Sequence, residues 1–461
     1  MMDIDYRLCL FYQEDLMAIS QALYTGVTGL SVNSDGMSVI ANNIANANAK
    51  GFKRDRAEFE DLLSMDLASG AGPTQIGRGS RLRNVRTIHT QGGLKVTDNL
   101  TDLAIQGNGF FVVSNPDTEV QESAGKFFTR VGSLSFDKEG YLSDGIGGRI
   151  QGYLADTDGV VSSRLTDVRI QTNNIPPKAT KDLNLNIQLD SREEVMNEDE
   201  TPWDPKNPEK TSNFNTTVSI FDSQGTAHQL TTYFRKASAD NEEGSAWNWI
   251  AMVDGKEIEN PPEGQEFAEI GRGQVKFDKY GFLLEETQEE FKVTWNNGSF
   301  PDQEIKMDFG VNIGEEGGNG VNSSTSIAAK SITVFHQQNG YEAGNLQSLR
   351  IDQDGELHGI FTNGLERRLG AIALATFENV DGLEKAGKNM FYSTVESGPA
   401  KVGMPQTLGR GSLYASTLEE SNVDLANEFV NMIMTQRLFQ ANSRSITTTD
   451  TMIEEVVNIK R

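Results

Sequence analysis

The chain has 461 residues, of which 37% are hydrophobic, with 45 glycines and 12 prolines. Its 66 acidic and 41 basic residues give a net charge of −25, which opposes binding to nucleic acid or to an anionic membrane. Cys9 is the only cysteine, which excludes an internal disulfide, and no stretch approaches the roughly 18 apolar residues of a membrane span. The many glycines favour numerous turns and much β-structure.

The first fifteen residues, MMDIDYRLCLFYQED, lack the apolar segment and cleavage site of a secretory signal. Met17 opens MAISQALYTGVTGL, which is a cleaner start. We therefore expect residues 1–16 to come from a mis-assigned start codon and not to belong to the native protein.

A seven-residue spacing of apolar side chains predicts a long helix near the start of the chain. The series comprises Leu16, Leu23, Leu30, Met37 and Ile44. Sustained spacing of this kind is the pattern of a coiled coil, in which two helices keep one seam in contact. The alternative is an ordinary amphipathic helix packed on a globular core.

The helix runs into ANNIANANAKGF at 41–52, where asparagine interrupts the pattern. One interpretation keeps Ile40 and Ile44 in the seam and uses the amides of Asn42 and Asn43 to bond neighbouring backbones and set the register. The other is that Asn46 and Asn48 simply end the helix, with Gly51 as a left-handed cap. The residues leave both interpretations open.

The middle of the chain changes to the two-residue period of strands. A repeat of the form apolar–Asp–x–x–Gly–x–Leu occurs at 136–142, 277–283 and 351–357. Because Asp favours the start of a turn and Gly supplies the positive φ, each repeat predicts a β-hairpin. Asp–x–Asp–Gly sequences at 156–159 and 352–355 lack the remaining ligands of a calcium loop, so we predict no metal there.

A second seven-residue series near the end predicts a partner for the first helix. It comprises Leu418, Leu425, Met432, Phe439, Ile446 and Ile453, with Phe429 widening the stripe. Thr417 and Glu420 fit a capping box, and Ser421 or Asn422 could equally be the N-cap. One series at each end favours pairing of the terminal helices.

This order of elements predicts an α+β multidomain fold with paired terminal α-helices and two or three nested β-rich domains, of barrel or sandwich type. Since the ends must meet, the middle is inserted between them. The predicted domains are 1–90 with 411–461, which is helical; 91–182 with 331–410, an inner β domain; and 183–330, one or two outer β domains.

No pattern of catalytic residues is present. The four histidines are far apart in the sequence, and HExxH, GxSxG and P-loop motifs are absent. We therefore predict no catalytic residue, no cofactor and no metal. A secreted β-rich adhesin or enzyme is the alternative of a different class.

The two ends carry a resemblance to a known family. Residues 20–63 and 417–461, together with TDLAIQGNGFFVV at 101–113 and FFTRVGSLSFDKEGYL at 127–142, resemble the bacterial flagellar rod and hook proteins. The middle segments at 215–234, 344–379 and 381–398 are similar to the hook members. Distal rod members are the alternative, but they are much shorter and lack this inserted middle.

The resemblance implies a structural subunit, not an enzyme, that self-assembles into a curved tubular joint carrying torque from motor to filament. It implies export through the flagellar type III apparatus, an extracellular location, and contacts with further copies and with rod, hook-cap and hook–filament junction proteins. No nucleic-acid partner or membrane insertion is expected. The predicted polymerisation seam comprises Leu23, Leu30, Met37, Asn42, Asn43, Ile44, Asn46, Gly51, Phe52, Leu425, Phe429, Met432, Phe439, Ile446 and Ile453.

Overall fold

A computed structural model of the chain describes residues 2–63, 65–69, 72–115, 126–156, 159–170, 174–196, 201–238, 244–261, 266–313 and 323–459, with the backbone alone described at 2–19, 65–69, 72–76, 456–457 and 459. Two long helices, α1 (Met2–Ala45) and α2 (Leu425–Ile459), lie at the two ends. In the described ranges, neither helix is both long and apolar enough to cross a membrane. Short 3₁₀ turns occupy Pro208–Lys210, Gly255–Glu257 and Val380–Gly382.

The part between the two helices is built of strands. The first are β1 Asp55–Asp61, β2 Met65–Ser69, β3 Gly72–Ile76, β4 Ser80–Thr87, β5 Leu94–Val96, β6 Leu103–Gln106, β7 Phe110–Ser114, β8 Lys126–Thr129, β9 Ser135–Phe136, β10 Leu142–Ser143, β11 Arg149–Ala155 and β12 Val161–Asp167. They are followed by β13 Asn174–Ile175, β14 Asp182–Asp190, β15 Phe214–Phe221, β16 Ala227–Lys236, β17 Ser245–Asp254, β18 Phe267–Phe277, β19 Leu283–Gln288, β20 Lys292–Val293, β21 Gln303–Glu304, β22 Lys306–Asp308, β23 Thr325–Ile327 and β24 Ile332–Gln338. The last are β25 Gly344–Ile351, β26 Glu356–Phe361, β27 Glu366–Ile372, β28 Leu374–Thr376, β29 Glu384–Gly387, β30 Met390–Tyr392, β31 Lys401–Gly403, β32 Ser412–Ala415 and β33 Thr417–Glu419.

The chain divides into two compact units. Unit 1 comprises Met1–Gln171, Leu349–Gly359 and Glu366–Arg461; unit 2 comprises Thr172–Ser348 and Ile360–Leu365. The ends of unit 1 enclose unit 2 in sequence, as expected of a nested chain. Together with the terminal helices and the strands between them, this confirms the predicted α+β multidomain class. The predicted three-part division within it stays a prediction.

Unit 1 holds both helices and an antiparallel sheet in the order β27–β11–β7–β8–β30–β29. Its core is a cluster of fully buried side chains that includes Leu103, Phe111, Ile150 and Leu374. Two short pairings, β32 with β6 and β33 with β5, attach the stretch before α2 to strands near the N-terminus. These pairings, with the bond from the Gly51 N–H to the Glu419 carbonyl, bring the end of α1 and the start of α2 into one region.

Unit 2 is built on an antiparallel meander, β15–β16–β17–β18–β19, and on a smaller sheet around β14. Its core contains Trp247, Trp249, Phe234 and Phe309, all of them buried. Alternate residues of β14 are buried, which is the two-residue period of a strand with one face on the core.

The three repeated motifs form hairpins, which confirms that prediction. Gly140, Gly281 and Gly355 have φ of 84°, 85° and 82°, in the region that only glycine adopts at little cost. In the first repeat the Asp137 carboxylate accepts the backbone N–H groups of residues 139 and 141, both at 2.8 Å, and so fixes the turn.

The predicted start of the C-terminal helix is wrong. Thr417 and Leu418 lie in β33, and α2 begins at Leu425. Asp424 is the N-cap, since its Oδ1 accepts the N–H of Ala426 at 2.9 Å and of Asn427 at 3.3 Å. An aspartate at this position also suits the positive end of the helix dipole.

Candidate assembly site

Two glycines let α1 and α2 approach closely. A β-carbon on Gly26 would lie 2.8 Å from Cγ1 of Ile446, and one on Gly29 would lie 2.6 Å from Nδ2 of Asn442. Both distances are shorter than a van der Waals contact, so a β-carbon at either position would displace the facing side chain of α2. Because the later residue on α1 faces the earlier residue on α2, the helices run antiparallel.

The predicted seam residues are divided between this contact and the surface. Ile446 lies in the contact itself. Half-buried positions are Leu23, Leu30, Met37, Ile44, Met432 and Ile453. Three other predicted residues of α2 are exposed: Leu425 by 42%, Phe429 by 50% and Phe439 by 40%. Pairing of the two helices within one chain therefore leaves part of the predicted seam uncovered.

Asn43 ties the end of α1 to the start of β1. Its Nδ2 donates to the carbonyl of Asp55 at 2.8 Å, and its Oδ1 accepts the N–H of Asp55 at 2.8 Å. The side chain is buried. The Asp55 carboxylate in turn receives both a hydrogen bond from Thr87 and the ammonium of Lys385 at 2.5 Å. The Asn43 amide thus fixes its own chain's fold, which differs from a role in bonding a neighbouring subunit.

Asn46 bonds locally to Asn42. The Nδ2 of Asn46 donates to the carbonyl of Asn42 at 2.9 Å and to its Oδ1 at 3.1 Å, just after α1 ends at Ala45. Asn46 therefore closes the last turn, as the helix-ending interpretation predicts.

Gly51 has a left-handed φ of 65°, but it lies six residues beyond the end of α1 and does not cap it. Its N–H donates to the carbonyl of Glu419 at 2.8 Å. A β-carbon there would lie 2.9 Å from the backbone of Arg130 and Val131. Gly51 therefore allows two backbones to pass in close contact, and Phe52 is buried next to it.

A buried cluster of charges lies where the backbone at Gly51 passes the backbone of Arg130 and Val131. The Lys53 Nζ lies 2.5 Å from Oε1 of Glu419, and the Arg130 guanidinium lies 3.4 Å from Oε2. The three side chains are only 1%, 0% and 5% exposed for Lys53, Glu419 and Arg130. The N–H of Gly92 also donates to Glu419, at 2.9 Å. Burial lowers the pKa of Lys53, and Glu419 opposes that shift by favouring the charged amine.

Asn422 completes this region on the way to α2. Its Nδ2 donates to the carbonyls of Ile88 at 2.8 Å and Thr90 at 3.1 Å, and its Oδ1 accepts the N–H of Arg54 at 2.7 Å. We call Asn43, Lys53, Asp55, Arg130, Glu419 and Asn422 the helix root. Because its bonds connect segments from both ends of the sequence, the helix root fixes where each helix leaves the β-structure.

Among the described side chains, no group of three or more His, Cys, Asp or Glu residues could hold a metal ion. Lys53 and Arg130 pair with Glu419, and Asp55 pairs with Lys385, which lies outside the helix root. The arrangement can position the helices and resist their displacement.

Comparison with known families matches both ends and the middle. Residues 23–53 match the flagella basal body rod protein family, and 415–459 match the flagellar basal body rod FlgEFG protein C-terminal family. Residues 104–191 match the flagellar hook protein FlgE/F/G D1 domain, and 188–341 match the flagellar basal body protein FlaE D2 domain.

Full-length relatives decide between hook and rod. The flagellar hook protein FlgE of Treponema pallidum (strain Nichols) is 33% identical, over 96% of this chain and 100% of its own. That of Escherichia coli (strain K12) is 31% identical, over 96% of this chain and 100% of its own. This chain belongs to the flagellar hook protein FlgE family. Hook proteins are structural components of the external flagellum, and the distal rod alternative is not favoured.

A solved structure agrees with this family at the level of the fold. The Helicobacter pylori flagellar hook protein FlgE2 superposes with a TM-score of 0.50 at 14% identity, over 70% of this chain and 100% of that one. The two terminal family matches, at 23–53 and 415–459, cover α2 and most of the described side chains of α1. They also include four helix-root residues: Asn43, Lys53, Glu419 and Asn422.

Replacing Gly51 by alanine is expected to destabilise unit 1. The left-handed φ costs a non-glycine residue about 1 kcal/mol, and the clash with the Arg130 backbone adds to that, for roughly 2–3 kcal/mol in total. Urea unfolding measures the change. Gly77→Ala is the matched control, since a β-carbon there meets nothing within 4 Å. Equal stability of the two variants would contradict the role given to Gly51.

Acid is expected to destabilise unit 1 through His89. Burial, and next the nearby Lys53 charge, lower the pKa of His89 to about 4, with Arg130 and Lys385 acting in the same direction and Asp381 against it. The unfolded chain binds this proton at about pH 6.5. The neutral His89 therefore makes its whole contribution to the free energy of unfolding of unit 1 above pH 6.5. That free energy falls by up to about 3 kcal/mol as the pH drops to 4. Urea unfolding across this range measures it, and His89→Gln should flatten the slope; an unchanged slope would contradict the assignment.

Proposed function

We propose that this chain forms the hook by homopolymerisation, with the terminal helices as the assembly core. The observation that carries the proposal is the apolar surface that α2 leaves uncovered after it has packed on α1. Eight apolar residues of α2 are each between 40% and 58% exposed: Leu425, Phe429, Val430, Ile433, Met434, Leu438, Phe439 and Met452.

Assembly gives this surface a place to be buried. Fully burying such a side chain contributes about 1.5–3 kcal/mol, so covering the exposed half of each supplies on the order of 10 kcal/mol per subunit. That is enough to offset much of the entropy lost on association. A free monomer with such a patch would be prone to non-specific aggregation.

The helix root supports the same function. A joint that transmits torque needs its helices held firmly to the body of the subunit, and buried paired charges provide directional contacts that resist rotation. Catalysis is not part of this function. The family supports assembly with basal-body components, and we further propose contacts with rod, hook-cap and hook–filament junction proteins and export by the flagellar type III apparatus.

The full-length purified chain tests the proposal. On raising the concentration, electron microscopy and sedimentation should show tubes of one subunit type above a critical concentration. A chain that stays monomeric at every concentration, with α2 still exposed, would contradict homopolymerisation by this route.

A further inference from the structure

Strand β4 and the segment before it form a basic stretch in an acidic chain, while the paired strand β1 carries four acidic residues. Residues 67–97 contain five basic residues and no acidic one, in a chain of net charge −25. The hairpin is a separate two-stranded sheet alongside α1. Gln21 of α1 donates to the carbonyl of Gly77 at 3.3 Å, which fixes the hairpin against that helix.

Arg56 and Arg86 each have a carboxylate partner, whereas three other arginines of this region are less fully paired. Arg81 and Arg83 share one carboxylate, that of Glu60, at 2.6 Å and 3.9 Å, and their side chains are 67% and 69% exposed. Arg78 is exposed and forms no ion pair with any described side chain. We call Arg78, Arg81 and Arg83 the arginine face. Val85, two residues after Arg83 in β4, is 44% exposed, and arginine beside apolar side chains is a composition enriched at protein interfaces.

The last turns of α2 carry the opposite charge. Asp450, Glu454 and Glu455 are exposed, and among the described side chains none of them has a basic partner within 4 Å. The carbonyl end of the helix dipole adds negative potential there, which Lys460 and Arg461, next in the sequence, partly offset. We call these three residues the carboxylate end.

We infer that the arginine face of one subunit binds the carboxylate end of α2 in a second copy of this chain. The inference rests on the proposed homopolymerisation and names a contact within it. The two surfaces are different patches of one sequence, so joining them is a head-to-tail contact, which propagates into a helical polymer. The contact also offsets repulsion between subunits of net charge −25 and selects the orientation in which they dock.

Charge reversal with rescue tests the contact. Arg78→Glu with Arg83→Glu is compared with the same variant carrying Glu454→Arg and Glu455→Arg. Sedimentation at low salt should show a critical concentration raised about tenfold or more in the first variant and restored to within about threefold in the second. Urea unfolding of each variant establishes that the fold is retained.

The control variant is Lys138→Glu with Arg164→Glu, which changes the net charge equally at two exposed positions of unit 1. It should assemble nearly as the wild type does. An unchanged critical concentration in the first variant, an equal rise in the control, or failure of the rescue would each overturn the inference. Failure of the wild-type chain to assemble would instead contradict the proposed function itself.

Discussion

A chain that ends at Asp424 is expected to form no tubes. The truncation removes α2 and with it the exposed apolar side chains that the proposed polymer buries. It retains Glu419 and Asn422, so the helix root and the strand pairings of β32 and β33 remain. The expected product is a folded monomer with no polymer detectable by electron microscopy or sedimentation.

The matched control for this truncation is a chain that starts at Met17. Residues 1–16 lie outside the predicted seam, so we expect this variant to assemble as the full chain does. Tubes formed by the chain that lacks α2 would show that the β units polymerise without it and would contradict the helical core.

Replacing Glu419 by glutamine is expected to destabilise unit 1 by about 3–5 kcal/mol. The change keeps the shape of the side chain but leaves Lys53 and Arg130 buried without a counter-charge, and removing one partner of a buried pair has a cost of this size. The helix root would loosen as well, because both helices are attached through it. Urea unfolding, followed by a signal from unit 1, measures the change.

The neighbouring Glu420 provides the control for this substitution. Its ion pair with Lys50 has the same chemistry at 3.4 Å, but its side chain is 47% exposed, and such surface pairs contribute about 0–1 kcal/mol. Glu420→Gln should therefore be nearly neutral. Equal losses of unfolding free energy in the two variants would contradict the claim that burial makes the Glu419 ion pairs important for stability.

Patterns with a local cause could be predicted from the sequence. Each of the three hairpins depends on an aspartate and a glycine three positions apart in the sequence. No residue distant in the sequence is needed to form the turn. The terminal helices follow from periodicity, and the half-buried positions Met432, Ile446 and Ile453 keep the predicted seven-residue spacing. The nested order of the chain follows because helices at opposite ends must meet.

The helix root could not be predicted in this way. Lys53 and Glu419 lie 366 positions apart in the sequence. From the sequence alone, each would be predicted to be an ordinary charged residue on the surface. Gly26 and Gly29 indicate the helix contact in a way that the apolar spacing does not. Glycine destabilises a helix interior, so two glycines one turn apart favour a close neighbour on that face. Asn43 stands out in the sequence as an asparagine inside a helix, but nothing in the sequence shows that its partner is Asp55 of the same chain. Asp424 was missed because several capping residues precede α2 and only the fold selects among them.

The most direct test of the helical core is the accessibility of Val430, which is 55% exposed on α2 in the single chain. A Val430→Cys variant, with Cys9 replaced by serine, is labelled with a thiol reagent before and after assembly. A Ser163→Cys variant at an exposed position of β12 gives the reference rate. We expect the thiol at position 430 to react readily in the free chain and to be strongly protected in the polymer. Equal labelling rates in both states would contradict burial of α2 between subunits.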